Sequence, residues 1–316
     1  MKVVFFGTPP TAVPSLEAIL AAGHEVPLVV TRPDRPAGRS GSLRPSAVKA
    51  LAAARGLAIF QPETLRAADS HDVIAGIRPD VIAVVAYGRK LPPPILQAAP
   101  HGAVNLHFSL LPAYRGAAPV AWALARGETE TGVTTFRLDE GLDTGDVLEQ
   151  RRVPIEPHEH APALLARLAA IGAGLLTDTL ARLADGSARP VPQDASRASL
   201  APLLQREAGD WSPAWTAREL EGRVRGFDPW PGVWALRNGV RIRIAGVAAV
   251  PDAATDREPG TIYAEGDRMD VACASGTVAE IRAVQPEGRR AVSAREARNG
   301  RQLVPGDRFE RPRPEA

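Results

Sequence analysis

The first half of the chain alternates short apolar runs with amphipathic stretches. Lys2–Gly7 is apolar after its first residue, which reads as a strand buried on both faces. Residues 11–22 carry apolar positions at helical spacing, with Thr11 as cap and Gly23 as stop, and residues 26–31 form a second apolar run. Together these make a β-α-β unit. The rhythm continues with apolar strands over 81–86 and Ala103–His107, so an α/β fold with a Rossmann-like parallel sheet under helices is expected. Ligands of such sheets lie beyond the carboxyl ends of the strands, where Gly7, Tyr87-Gly88 and His107 fall.

The second half has a different period. An alanine- and leucine-rich helix is expected over 160–183, followed by a polar stretch with Pro190 and Pro192 that reads as a linker. Residues 211–226 suggest a short helix, and Phe227-Asp228-Pro229-Trp230-Pro231-Gly232 a rigid turn. Asn238-Gly239 between apolar flanks is a two-residue hairpin signal. Short strands over 260–264, 269–274 and 278–284 complete a small OB-like β-barrel domain. The expected division is 1–186 for the first domain, 187–205 for the linker and 206–316 for the second domain.

Composition narrows the function classes. The 316 residues are 45% hydrophobic and 23% charged, as in a folded globular chain. Cys273 is the single cysteine and reads as a small buried apolar residue in a reducing compartment. The apolar run at the N-terminus is too short for a signal peptide, and no later run approaches the roughly 18 residues of a membrane span. A cytoplasmic protein with no membrane contact is therefore expected, and a monomer is expected independently of these runs. The formal charge of +2 argues only weakly for a nucleic-acid partner, so local patches must carry that case. Gly7-Thr8-Pro9-Pro10 lacks the glycine spacing of a dinucleotide site, and no P-loop occurs. His158 and His160 lack a second ligand pair at zinc spacing, so no metal is expected.

The candidate chemistry sits at the end of the strand Ala103–His107. In an extended backbone Asn105 and His107 point to one face, presenting a neutral hydrogen-bond donor beside a titratable one. Gly141-Leu142-Asp143-Thr144-Gly145-Asp146 offers a carboxylate on a glycine-flanked turn that can fold back to hold the histidine. Such a set suits acyl or formyl transfer, in which charge builds on a carbonyl oxygen and a proton leaves the nucleophile. Protonated His107 would then donate to that oxygen, with Asp143 raising its pKa. Each residue also has a plain alternative: a satisfied strand end for Asn105, a core histidine for His107, a turn aspartate for Asp143. Residues 32–45 hold four arginines among prolines and glycines, too many for helix or strand. They read either as a solvated loop or as one that follows a phosphate backbone.

Asn105-Leu106-His107-Phe108-Ser109-Leu110-Leu111-Pro112 and Gly141-Leu142-Asp143-Thr144-Gly145-Asp146 resemble the folate-dependent formyltransferases. The likeness spans nearly the whole chain, and includes Val84-Val85-Ala86-Tyr87-Gly88, Arg115-Gly116-Ala117-Ala118-Pro119 and Phe227-Asp228-Pro229-Trp230-Pro231. It implies transfer of the formyl group of 10-formyltetrahydrofolate to the α-amino group of methionine on initiator tRNA, with Asn105, His107 and Asp143 catalytic. By the same resemblance Ser109, Leu110, Leu111 and Pro112 would line the folate pocket with Arg89 and Leu91, and Arg39 and Arg44 would approach the tRNA. Many relatives carry lysines where this chain has Ser40-Gly41-Ser42, which lowers the local positive charge. A formyltransferase acting on a small amine, such as glycinamide ribonucleotide or an amino sugar nucleotide, would need the same three residues but neither the arginine loop nor the terminal β domain. A noncatalytic RNA-binding protein on this fold would not need His107.

Overall fold

A computed structural model describes residues 1–37, 42–66 and 68–312. Two compact units result: the first is Met1–Pro119, Glu130–Pro154 and Leu165–Pro202, and the second is Val120–Thr129, Ile155–Leu164 and the chain from Leu203 onward.

Nine strands belong to the first unit: β1 (Lys2–Gly7), β2 (Glu25–Val30), β3 (Arg35–Ala37), β4 (Ser42–Arg44), β5 (Ile59–Phe60), β6 (Val81–Val85), β7 (Ala103–His107), β8 (Glu130–Arg137) and β9 (Val147–Pro154). Seven of them form one sheet in the order β5-β2-β1-β6-β7-β8-β9. The first five are parallel, as the apolar runs imply. The last two, β8 and β9, are antiparallel and add a polar-faced edge that the sequence reading did not name. Strand order turns outward in both directions from β1 and β6, which makes their carboxyl ends the switch point of the sheet.

One face of the sheet buries Val4, Phe6, Ile82 and Val84 with Tyr87 and Ile95. Against the strands also lies the helix Ala161–Ala184, where a Cβ on Gly172 would meet Leu106 at 2.8 Å and Thr179 shares a 2.7 Å hydroxyl contact with Thr135. By length and mean hydropathy of 1.4 this helix could cross a membrane, a property the sequence reading did not credit to any segment; half of the apolar window is buried inside the protein.

Local differences from expectation have local causes. The helix expected over 11–22 begins as a 3-10 turn at Pro10–Ala12 and becomes α-helical over Val13–Ala21. No side chain caps its start; Pro14 occupies the first turn, where a missing N–H costs nothing. Residues 32–45 were expected to be neither helix nor strand, yet β3 and β4 form a short antiparallel ladder pairing Arg35 with Arg44 and Pro36 with Leu43. Residues 187–202 run along the first unit: Val191 pairs with Val147, and Leu200 with Arg115.

The second unit carries β10 (Val233–Arg237), β11 (Val240–Ala254), β12 (Ile262–Glu265), β13 (Arg268–Ala272), β14 (Thr277–Pro286) and β15 (Val292–Ser293). The antiparallel path is β10-β11-β14-β13-β12, with β15 on β14. Near the end of the chain, Arg308 bridges to Thr261 and Glu310 to Leu236, so one segment ties the two ends of that path together. This is the closure that suppresses free edges in small β domains. Asn238 and Gly239, with φ of 51° and 78°, form the tight turn between β10 and β11. Thr216 and Glu219 make a capping box for the helix Ala217–Gly226.

Candidate active site

Strand β7 delivers Asn105 and His107 to one side of the sheet, because the residues between and before them, Leu106 and Val104, are buried in the core on the other. Asn105 is half-buried, and its side-chain amide makes no hydrogen bond among the described residues. His107 is 7% exposed and sits edge-on to Phe136, its ring centroid 6.3 Å away.

His107 Nε2 lies 2.9 Å from the carbonyl oxygen of Tyr114. A carbonyl only accepts, so Nε2 carries the hydrogen and the neutral ring keeps its lone pair on Nδ1. That nitrogen faces Asp143 Oδ2 at 3.8 Å. The gap is too long for a hydrogen bond, and Nδ1 remains free to take a proton. Burial holds the His107 pKa below its ordinary value of 6.5; Asp143 and the Tyr114 carbonyl pull upward but do not offset it. The expectation of a protonated His107 with a raised pKa is therefore corrected. Asp143 acts in the expected direction, and desolvation outweighs it.

Asp143 is held by a turn that few other sequences could make. Its own φ is 53°, in the left-handed region. A Cβ on Gly145 would lie 1.8 Å from the Arg137 carbonyl oxygen, so only glycine fits there. Thr144 Oγ1 and the Gly141 N–H donate to Asp139, at 2.8 Å and 3.0 Å to its Oδ1. Gln193 Nε2 donates to the carbonyls of Asp143 and Gly145, and Arg115 fixes the other end of that amide with bonds of 3.1 Å and 2.7 Å. The Gly116 N–H donates to Asp143 Oδ2 at 2.8 Å. Gly116 has φ of 120°, and a Cβ there would stand 2.7 Å from the Ala201 carbonyl oxygen.

The turn after β7 is braced from below. Thr134, opposite His107 in the ladder, donates to the Ser109 carbonyl at 2.6 Å and accepts from the Leu111 N–H at 3.2 Å. Gln150 adds a bond of 2.7 Å to the Leu111 carbonyl. Ser109 is fully buried with its hydroxyl on the Ala113 carbonyl, and Leu111 is buried too. Both therefore shape the turn, while Leu110 and Pro112 are the half-exposed members. Arg89 and Leu91 line a separate cleft of 460 Å³ with Glu63, Leu65, Arg66 and Lys90. The Arg89 guanidinium donates across it to the carbonyls of Pro62 and Glu63.

Arg44 is exposed on β4, and Arg39 lies outside the described residues. Among the described residues no group of three metal-ligating side chains occurs. Thr134, Gln150, Gln193 and Gly116 were missed by sequence reasoning. Only Gly116 carried a signal, in Arg115-Gly116-Ala117; the others are reached through cross-strand register or long-range contacts.

An inner strand that ends in an amide and a neutral imidazole, with a carboxylate on a nearby glycine turn, is an arrangement suited to acyl or formyl transfer. Residues 1–180 match the family model described as formyl transferase, and residues 207–302 the one described as formyl transferase, C-terminal domain. The methionyl-tRNA formyltransferase of Acidobacterium capsulatum is 45% identical over 310 residues, covering 98% of this chain and 99% of that protein. That of Anaeromyxobacter sp. is 46% identical over 304 residues, covering 95% and 97%. The chain belongs to the methionyl-tRNA formyltransferase family. Among solved structures, the N-formyltransferase from Helicobacter canadensis in complex with folinic acid and dTDP-3-aminofucose has a TM-score of 0.68 at 17% identity, covering 90% of this chain and 99% of that one. HypX from Aquifex aeolicus in complex with tetrahydrofolic acid has a TM-score of 0.60 at 15% identity, covering 97% of this chain and 48% of that one. At such identities these two share the fold.

Proposed function

We propose that the protein transfers the formyl group of 10-formyltetrahydrofolate to the α-amino group of methionyl initiator tRNA. The observation that carries the reading is the pairing of a free Asn105 amide with a neutral His107 at one strand end, in a chain 45% identical to methionyl-tRNA formyltransferases over nearly its full length.

In this reading the Asn105 amide donates to the oxygen that turns negative when the amine attacks the formyl carbon, a contact that contributes a rate factor of about a hundred to a thousand. His107 Nδ1 takes the proton that the attacking nitrogen loses, and the imidazolium so formed is met by Asp143 on one side and the Tyr114 carbonyl on the other. The same ring then returns the proton to the departing folate nitrogen as the carbon–nitrogen bond to the folate breaks. Asp143 positions the ring and balances its transient charge. Leu110 and Pro112, on the rigid turn, and the cleft with Arg89 and Leu91 are the assigned folate contacts. The cleft suits a folate in donor chemistry, with Leu65 and Leu91 for a flat ring and Arg66 and Lys90 for carboxylates.

Residues 1–186 serve as the catalytic domain, 187–205 as the connection and 206–316 as the tRNA-binding domain, with Arg39 and Arg44 toward the acceptor end. The reading places the protein in the cytoplasm as a monomer. Its test is formylation of charged initiator tRNA against free methionine, each with 10-formyltetrahydrofolate. Strong preference for the charged tRNA is expected; comparable turnover of free methionine would defeat the tRNA assignment.

A further inference from the structure

Residues 191–201, part of the polar stretch that leads out of the first unit, bind both halves of the candidate active site. Val191 exchanges backbone hydrogen bonds of 2.8 and 2.9 Å with Val147, just beyond the turn that bears Asp143. Further along, the same segment pairs with the stretch after β7. The Arg115 N–H donates to the Ser199 carbonyl at 2.8 Å, the Ala201 N–H to the Arg115 carbonyl at 2.7 Å, and the Tyr114 N–H to Ser199 Oγ at 2.9 Å. Tyr114 supplies the carbonyl that accepts from His107, and Gly116 the N–H that donates to Asp143.

Gln193 stands between these two attachments. Its carboxamide offers two N–H bonds and two acceptor lone pairs, and all are used. Nε2 donates at 2.8 Å to the Asp143 carbonyl and at 2.7 Å to the Gly145 carbonyl, while Oε1 accepts from Arg115 Nε at 3.1 Å and Nη2 at 2.7 Å. A carbonyl only accepts and a guanidinium only donates, so the amide has a single orientation. The bonds that shape the turn from within, from Thr144 and Gly141 to Asp139, do not reach the backbone of Asp143. Gln193 does, and joins it to the residue between Tyr114 and Gly116.

We propose that Gln193 is a positioning residue for formyl transfer: one amide ties the Asp143 turn to Arg115 and so fixes the carboxylate beside the His107 ring. It acts through Asp143 and touches no substrate. The assignment rests on the roles of Asp143 and His107 given under Proposed function. It makes the 191–201 segment a working part of the site as well as a connection.

The experiment is steady-state formylation of charged initiator tRNA by the full chain across pH, for Gln193→Met, Gln193→Glu, Asp143→Ala and the double variant Q193M/D143A, with chemical denaturation of each. Gln193→Met keeps the reach of the side chain and removes the amide. It is expected to lower kcat about tenfold and leave KM for the tRNA within about twofold. The acid limb of kcat/KM should move in the direction that loss of Asp143 moves it, because a displaced carboxylate stabilises the imidazolium less. Gln193→Glu keeps an acceptor for Arg115 but turns an oxygen onto the two carbonyls, and a similar rate loss is expected. In the Asp143→Ala background the loss from Gln193→Met shrinks to about twofold or less, since no carboxylate remains to be positioned. Wild-type kcat and pH profile in Gln193→Met overturn the proposal. A full tenfold loss on top of Asp143→Ala also overturns it, and makes Gln193 a general brace of the fold. Recovery of the wild-type rate in Gln193→Glu overturns it by placing the effect at Arg115; if Gln193→Met does not fold, the Gln193→Glu rate decides. If Asp143→Ala itself formylates at the wild-type rate, the functional reading of Asp143 falls and the positioning role falls with it.

Discussion

Asp143 Oδ2 stands 3.8 Å from His107 Nδ1 while accepting the Gly116 N–H at 2.8 Å. The carboxylate is thus anchored to backbone and only near the ring, and the ring is anchored through its other nitrogen to Tyr114. Proton transfer to Nδ1 needs no prior breaking of a hydrogen bond.

A pH profile follows from that geometry. His107 has a folded pKa below 6.5, so it is neutral at pH 7 and must stay neutral to take a proton. The acid limb of kcat/KM is expected below pH 6.5, and Asp143→Asn should move it further to acid while lowering the rate, because the upward pull of Asp143 is gone. Stability has the same sign: a depressed histidine contributes stability that is present above the unfolded pKa and is lost as pH falls through the folded one. A limb above pH 6.5 in the wild type would contradict the neutral ring.

His107→Ala and Asn105→Ala should each lower formyl transfer by about a hundredfold or more. Neither residue is assigned a contact with the tRNA backbone, so tRNA affinity should stay within about twofold. Unaltered turnover in either variant would remove that residue from the mechanism.

Gly116→Ala tests the carboxylate anchor. The new methyl meets the Ala201 carbonyl oxygen at 2.7 Å with the backbone at φ 120°, so the segment must shift. A cost of about 1–3 kcal/mol in chemical denaturation is expected, together with loss of activity from displacement of Asp143. A variant with wild-type stability and rate would show that the Gly116 contact is dispensable.

Thr134→Val keeps the shape of the side chain and deletes the hydroxyl that serves Ser109, Leu111 and Gln150. Leaving these partners unmet costs about 1–3 kcal/mol in unfolding free energy. If Leu110 and Pro112 hold the folate, KM for 10-formyltetrahydrofolate should also rise several-fold. An unchanged KM beside lowered stability would confine Thr134 to a folding role.

Much of this was legible along the chain. Apolar runs mark β1, β6 and β7, and period-2 alternation alone puts Asn105 and His107 on one face. Asn238-Gly239 announced its hairpin because positive φ at two successive positions is a local demand that few residue pairs meet. The motif pairing β7 with the aspartate turn was enough to suggest the reaction.

Tertiary structure decided the rest, since it depends on partners distant in sequence. The charge of His107 is set by burial against Phe136 and by a carbonyl seven residues away, and no local pattern weighs desolvation against a neighbouring carboxylate. Antiparallel β8 and β9 became visible only through register, which brought Thr134 under the turn and Gln150 beside it. The anchoring of Asp143 by Gly116 and Gln193, 27 and 50 residues away, arises from chain crossings that spacing in the sequence does not encode. The order of residues sets which groups are available and which local turns hold them; packing sets which of them carry a proton, which are braced and which face one another.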